Sequence, residues 1–267
     1  MQQTCRTLSE KIPLPHCPLL TPSDSILFMG SCFANQLKRI LLARGFDCYD
    51  YNPGCFHTYS PLYEALKASG ELEFAADDYW TVPGKGYQHP YRRCLFADSL
   101  ELLQAEIAKR DASMENAIIH AKVVVLTYTL NEVWVKRDNG LIASCNPGYA
   151  GGGGHGLMDV YVPSVDENRR NILRTIDTLR KLNPHVELIL SVCPVSLGRT
   201  YQKKDHLIAN QEGKSILRTA MIDLEHYFPA FELMMGRRDC LEADGRHLTW
   251  TAMEWITDEF ERMFVAA

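Results

Sequence analysis

Two hydrophobic periods divide this chain. Ile26-Leu27-Phe28-Met29 is an unbroken apolar run, and Asn35-Gln36-Leu37-Lys38-Arg39-Ile40-Leu41-Leu42 repeats its apolar positions at helical spacing. The pattern predicts a strand near 25–30, a tight turn, and a helix that stops at Arg44-Gly45, where glycine suits the left-handed C-terminal position. Phe46 to Tyr51 alternates and predicts a second strand. Asn52-Pro53-Gly54 then turns the chain, and Pro61 opens a short helix through Leu66. Residues 1–24 are proline-bearing and aperiodic, which predicts an extended path over the surface.

Residues 77–97 change character. Tyr79-Trp80-Thr81-Val82, Pro83-Gly84-Lys85-Gly86 and Tyr91 to Phe96 predict a β-hairpin excursion, followed by a helix over 99–119. Lys122-Val123-Val124-Val125-Leu126-Thr127 reads as a central parallel strand, buried on both faces. Val133-Trp134-Val135 and Leu141-Ile142-Ala143 flank Asp138-Asn139-Gly140, a hairpin signal. Gly151 to Gly154 with His155-Gly156 is a glycine-rich loop with no following GK[ST], so it predicts a loop rather than a phosphate cradle. Ser164 and Glu167 form a capping box for a helix over 164–182, ended by Asn183-Pro184. A strand over 186–192 and helices over 205–225 and 249–264 complete the pattern. The alternation predicts an α/β fold with a mostly parallel sheet, helices on both faces and β-hairpin insertions, in one domain over 1–267.

Composition narrows the function. A chain of 267 residues can bury a sizeable core. A net charge of −5 leaves no basic footprint, so nucleic acid is not an expected partner. No apolar run is long enough to span a membrane, and the N-terminus lacks the pattern of a signal peptide. Nine cysteines with no CxxC pair match neither a zinc site nor a disulfide framework. They predict reduced thiols and a cytoplasmic location.

Candidate chemistry sits at the two ends of the chain. Ser31 occupies the turn between the first strand and its helix, where open α/β sheets bind ligands. Its plain alternative role is an N-cap, and Cys32 is the rival nucleophile. Asp244-Gly245-Arg246-His247 places a carboxylate three residues before a histidine, with Asp239 a less well-spaced alternative. The order Ser…Asp…His is one that triads use, and such a triad requires no metal or organic cofactor. Asn131 ends a central strand, and its amide could donate to an oxyanion or cap a turn. Gly54 could offer a backbone N–H to the same oxyanion or serve only the turn. Lys214 and Arg218, one helical turn apart, could bind an anionic group on a substrate or form a solvated helix face. Trp134 and Tyr149 could stack on a sugar or pack in the core.

Gly30-Ser31-Cys32-Phe33-Ala34 resembles the signature of the GSCFA family, a branch similar to the SGNH (GDSL-type) hydrolases. The likeness continues through Asn52-Pro53-Gly54, Leu126 to Trp134, Cys193-Pro194-Val195-Ser196-Leu197, the set Asn210, Lys214, Leu217 and Arg218, and Asp244 to His247. The resemblance implies a flavodoxin-like three-layer α/β/α fold. It also implies a serine nucleophile at Ser31 with Asp244 and His247, and an oxyanion-hole donor from Asn131, to which the backbone N–H groups of Ser31 and Gly54 are added as the expected partners. The substrate expected is a small-molecule or carbohydrate ester, such as an O-acetylated sugar. An acyltransferase with the same triad, or a non-catalytic binding domain on the same scaffold, are the alternatives. Two positions depart from the superfamily pattern: Ser31 follows Gly30 directly, without the usual Gly-Asp-Ser, and Thr129 stands where glycine usually precedes the asparagine by two.

Overall fold

The computed structural model describes residues 14–82, 84–92, 94–144 and 158–266. The glycine-rich run at 151–156 and Tyr149 lie outside the described residues. In chain order the elements begin with β1 (Ile26–Met29), α1 (Cys32–Ala43), α2 (Tyr59–Ala68), β2 (Trp80–Val82), β3 (Gly86–Gln88), β4 (Phe96–Ala97) and α3 (Leu100–His120). They continue with β5 (Val123–Tyr128), β6 (Val133–Lys136), β7 (Ile142–Ala143), β8 (Met158–Tyr161), α4 (Val165–Leu182) and β9 (Glu187–Val192). The last are α5 (His206–Ala220), β10 (His226–Tyr227), α6 (Ala230–Met234) and α7 (Trp250–Phe264).

The central sheet has the order β1-β5-β9-β10, and every pairing is parallel. Beyond β1, a parallel bridge joins Ile26 to Cys48, so the predicted second strand is reduced to one bridged position. Ile26 makes the bridge from both sides: its N–H donates to Asp47 and its carbonyl accepts from Tyr49. Taken with that bridge, the spatial order of the parallel segments is 2-1-3-4-5, the flavodoxin-like arrangement.

Each strand alternates its side chains between two cores. Ile26, Phe28, Val123, Val125 and Ile189 pack against α1 and α7. Leu27, Met29, Val124, Leu126 and Leu190 pack against α3, α4 and α5. The result is the three-layer α/β/α fold. Burial on both faces is why these strands read as unbroken apolar runs. Two antiparallel excursions, β2-β3-β4 and β7-β6-β8, are inserted at the predicted places. The second has a third strand, β8, which pairs with β6 and was not expected. Ser164 caps α4 by accepting from Glu167 N–H, but the Glu167 carboxylate accepts from Tyr59 and Tyr161 instead of completing a capping box. Among the described residues no helix is long and apolar enough to cross a membrane.

At Gly30 the sheet edge tolerates no side chain. A Cβ there would lie 1.9 Å from Thr127 Oγ1 and 2.6 Å from the Ala34 methyl. The glycine therefore lets β1 turn into α1 hard against β5. Gly30→Ala is expected to cost about 1–3 kcal/mol of stability, as overpacking does. Thr127 Oγ1 is buried without a hydrogen-bond partner, so its removal relieves the clash at little cost. Urea unfolding of Gly30→Ala combined with Thr127→Ala should show less loss than the sum of the single changes.

Candidate active site

Ser31 is the N-cap of α1, with extended backbone (φ −87°, ψ −158°), yet its side chain accepts no N–H from the helix. The capping role open to a serine here is therefore not taken up. Its Oγ accepts a hydrogen bond from Thr129 Oγ1 at 2.9 Å and lies 3.5 Å from Cys193 Sγ. The serine is only 2% exposed. These three residues follow β1, β5 and β9, so the site stands at the carboxyl edge of three adjacent parallel strands. The change in strand order beside β1 marks the crevice where such sheets bind ligands. Helix α1 has no acidic residue in its first turn, and its positive end stays unneutralised next to Ser31.

Helix α5 braces this edge from below. Lys214 is buried, and its Nζ donates to the carbonyls of Thr129 at 2.8 Å and Cys193 at 2.7 Å. Burial pushes its pKa down. One turn earlier, Asn210 Oδ1 accepts from Leu197 N–H at 2.9 Å and holds the loop after β9.

The turn before α7 carries the other half of the site. Asp244 Oδ1 accepts from the backbone N–H of Arg246 at 2.9 Å and of His247 at 3.0 Å. Its Oδ2 accepts from His247 Nδ1 at 2.5 Å. The ring hydrogen bond first, and then the two backbone ones, hold the Asp244 carboxyl well below the usual carboxylate range. The ring is thereby oriented, with Nε2 as the nitrogen left to exchange a proton. Asp239 lies in the short 3-10 turn Arg238–Cys240, with its carboxylate near Cys240 Sγ, and does not line the cavity.

Ser31 and His247 line one cavity of about 470 Å³. The hydrogen bond between them is not made in this state, since Ser31 Oγ is engaged by Thr129 and Cys193. Trp134 also lines the cavity, its ring set edge-on to Tyr201 at 6.0 Å between centroids. Glu132, 4% exposed, anchors the facing loop by accepting from Thr200 hydroxyl, Tyr201 N–H and Gln202 side-chain NH₂. Among the described residues no group of three or more His, Cys, Asp or Glu is arranged to hold a metal ion.

Several predicted site residues stand elsewhere. The Asn131 amide donates to the Pro163 carbonyl at 2.9 Å, its oxygen accepts from Asn168, and it does not line the cavity. Gly54 N–H donates to Asn52 Oδ1 at 3.0 Å, and the same oxygen accepts from Gly30 N–H. Neither group is presented to an oxyanion at Ser31. Lys214 is neither on a solvated face nor in the cavity, because its ammonium is consumed inside. Arg218 pairs with Glu232 at 2.9 Å and stacks on Tyr227, away from the cavity. Cys32 does line the cavity, but desolvation and the neighbouring Cys193 push its thiol pKa up, which disfavours the reactive thiolate. Thr129 and Cys193 touch the serine, and neither was expected to. Arg246 lines the cavity from inside the Asp244–His247 motif, and Arg199 joins it from the loop after β9.

The model of the GSCFA family matches residues 25–260 of the chain. No curated protein matches it in sequence. Among solved structures it is similar to an acetyl xylan esterase, at 12% identity and a TM-score of 0.43, over 88% of this chain and 97% of that one. It is similar to a peptidoglycan O-acetylesterase at 15% identity and a TM-score of 0.34, over 56% of this chain and 40% of that one. A carbohydrate esterase family 3 protein from Talaromyces cellulolyticus matches at 12% identity and a TM-score of 0.31, over 89% and 94% of the two chains.

The Lys214 brace makes a measurable demand. Lys214→Met leaves two buried carbonyls without their donor, and should lower unfolding free energy by about 2–4 kcal/mol, the range for lost charged hydrogen bonds less the relieved cost of a buried charge. Because burial lowers the pKa of Lys214, the unfolded chain binds the proton more tightly than the folded one. Stability of the wild type relative to the variant should therefore rise with pH in the window just below the ordinary lysine value, as urea titrations would show.

Proposed function

We propose that this chain, which belongs to the GSCFA family, is a serine esterase of the SGNH type that uses Ser31, His247 and Asp244. The observation that carries this reading is the position of Ser31. Its hydroxyl is released from helix capping and shares a cavity with a histidine whose Nδ1 is held by a carboxylate at 2.5 Å.

In this mechanism Ser31 Oγ attacks the acyl carbon while His247 Nε2 takes its proton. His247 then delivers that proton to the leaving alcohol, and Asp244 stabilises the imidazolium without itself being protonated. Water repeats the sequence on the acyl-serine. The contact between His247 and Ser31 tightens when substrate enters, as catalytic hydrogen bonds commonly do. With the Gly54 and Asn131 donors engaged elsewhere, the oxyanion draws on Ser31 N–H and the positive end of α1. The Thr129 hydroxyl holds Ser31 Oγ in place.

A carbohydrate ester suits the cavity. Its volume is that of a small-ligand site, and Trp134 with Tyr201 supplies an aromatic wall for the apolar face of a sugar ring. Hydrolysis is favoured over transfer to a second alcohol because the His247 and Asp244 side chains are each 44% exposed, which gives water access to the base.

Ser31→Ala should lower kcat on 4-nitrophenyl acetate by at least about three orders of magnitude in a folded protein, as loss of a triad nucleophile does. Cys32→Ala should retain most of the activity. A dead Cys32→Ala beside an active Ser31→Ala would move the nucleophile to the thiol.

A further inference from the structure

Two guanidinium groups line the cavity and pair with no carboxylate among the described residues. Arg246 donates from Nε to the Ser196 carbonyl at 3.0 Å, and its Nη atoms make no ion pair among the described residues. Arg199 also lines the cavity and makes none among the described residues. Arginines elsewhere either meet a carboxylate or are used otherwise, as Arg169 is by two backbone carbonyls and Arg237 by the Trp255 ring. Arg44, Arg92, Arg137, Arg180, Arg218 and Arg262 each meet a carboxylate. Acidic residues outnumber basic ones by 33 to 28, so carboxylates are not scarce.

The cavity's own acidic group, Glu132, makes no ion pair with either arginine among the described residues. Both oxygens of Glu132 are taken by donors on the loop that follows Arg199. Asp244, two residues before the motif arginine, is committed to His247 and to two backbone N–H groups. The Arg246 side chain is also set in place. A Cβ on Gly198 would fall 2.7 Å from its Nη1 and 2.8 Å from its Cζ, so the guanidinium lies flat on a glycine that leaves it room. A planar fork held at one nitrogen and open at the other two is suited to a carboxylate or phosphate.

We propose that the ester accepted at this site carries an oxyanion group, a carboxylate or a phosphate, which Arg246 binds with help from Arg199. The inference rests on the esterase reading of Ser31. It makes Arg246 and Arg199 the residues that set substrate charge, and Gly198 a positioning residue for Arg246.

The test compares an isosteric pair, 3-acetoxybenzoate and 3-acetoxybenzamide, at low ionic strength. The wild type should prefer the anionic ester in kcat/KM by about tenfold or more, the scale of a charge-assisted hydrogen bond. That preference should shrink toward unity in Arg246→Gln, fall partway in Arg199→Gln, and fall in Gly198→Ala, where the arginine is displaced. Competition by inorganic phosphate or by acetate, whichever binds tighter in an Arg246-dependent way, identifies the group. A wild-type preference near unity, or one unchanged in both arginine variants, overturns the proposal and leaves the esterase reading intact. Calorimetry on Ser31→Ala with 3-hydroxybenzoate and 3-hydroxybenzamide separates the two claims. Arg246-dependent binding of the benzoate alone, with neither ester hydrolysed by the wild type, supports the anion site and removes the esterase. Equal binding of both compounds, or of neither, overturns the anion site.

Discussion

The ammonium of Lys214 reaches out of α5 to the carbonyls at the ends of two neighbouring strands, Thr129 after β5 and Cys193 after β9. Those are the two residues whose side chains touch Ser31 Oγ. A buried charge without a carboxylate is costly, and it persists only where strong acceptors replace water. Here two backbone carbonyls do so. They belong to strand ends that can no longer use the sheet ladder and would otherwise go unpaired. One side chain thus satisfies the exposed edge of the sheet and sets the distance between the loops that enclose the serine. Asn210, a turn before it on α5, extends the brace to Leu197 and the loop that bears Arg199.

This arrangement brings positive groups to the serine of a net acidic protein. The chain is net acidic at −5. Positive groups converge on Ser31: Lys214 beneath the strand ends, the start of α1, and Arg246 on the cavity wall, while the Glu132 carboxylate in the same cavity is held by the Thr200–Gln202 loop. Negative charge that develops on Ser31 Oγ or on a substrate oxygen is favoured there, before any reorganisation is needed. Asp244 contributes negative charge only through the ring of His247, where an imidazolium needs it.

The framework was legible because its signals are local. Strands buried on both faces read as apolar runs, helices as periodic ones, and the Asp244–His247 contact follows from three-residue spacing within one turn. The second strand was overcalled because alternation from Phe46 to Tyr51 does not report how many positions find a partner, and only Cys48 bridges to β1. The misplaced site residues are taken up by partners that spacing alone does not reveal, distant in sequence for Asn131 and within one turn for Gly54. Pro163 and Asn168 take up Asn131, and Asn52 takes up Gly54. Lys214 and Arg218 have the spacing of a solvated face, but spacing cannot show that a neighbouring strand end covers the first and that Glu232 engages the second. Thr129 looked like a departure from a glycine pattern, and its hydroxyl turns out to hold the serine.

The central claim is that Ser31 is an activated nucleophile, and covalent capture by a fluorophosphonate tests it most directly. The account predicts a single adduct, mapped to Ser31 by peptide mass spectrometry, that forms at least about tenfold more slowly in His247→Ala, because general-base assistance is worth at least that much. An adduct on another residue, or no adduct in a folded protein that still hydrolyses 4-nitrophenyl acetate, would contradict it.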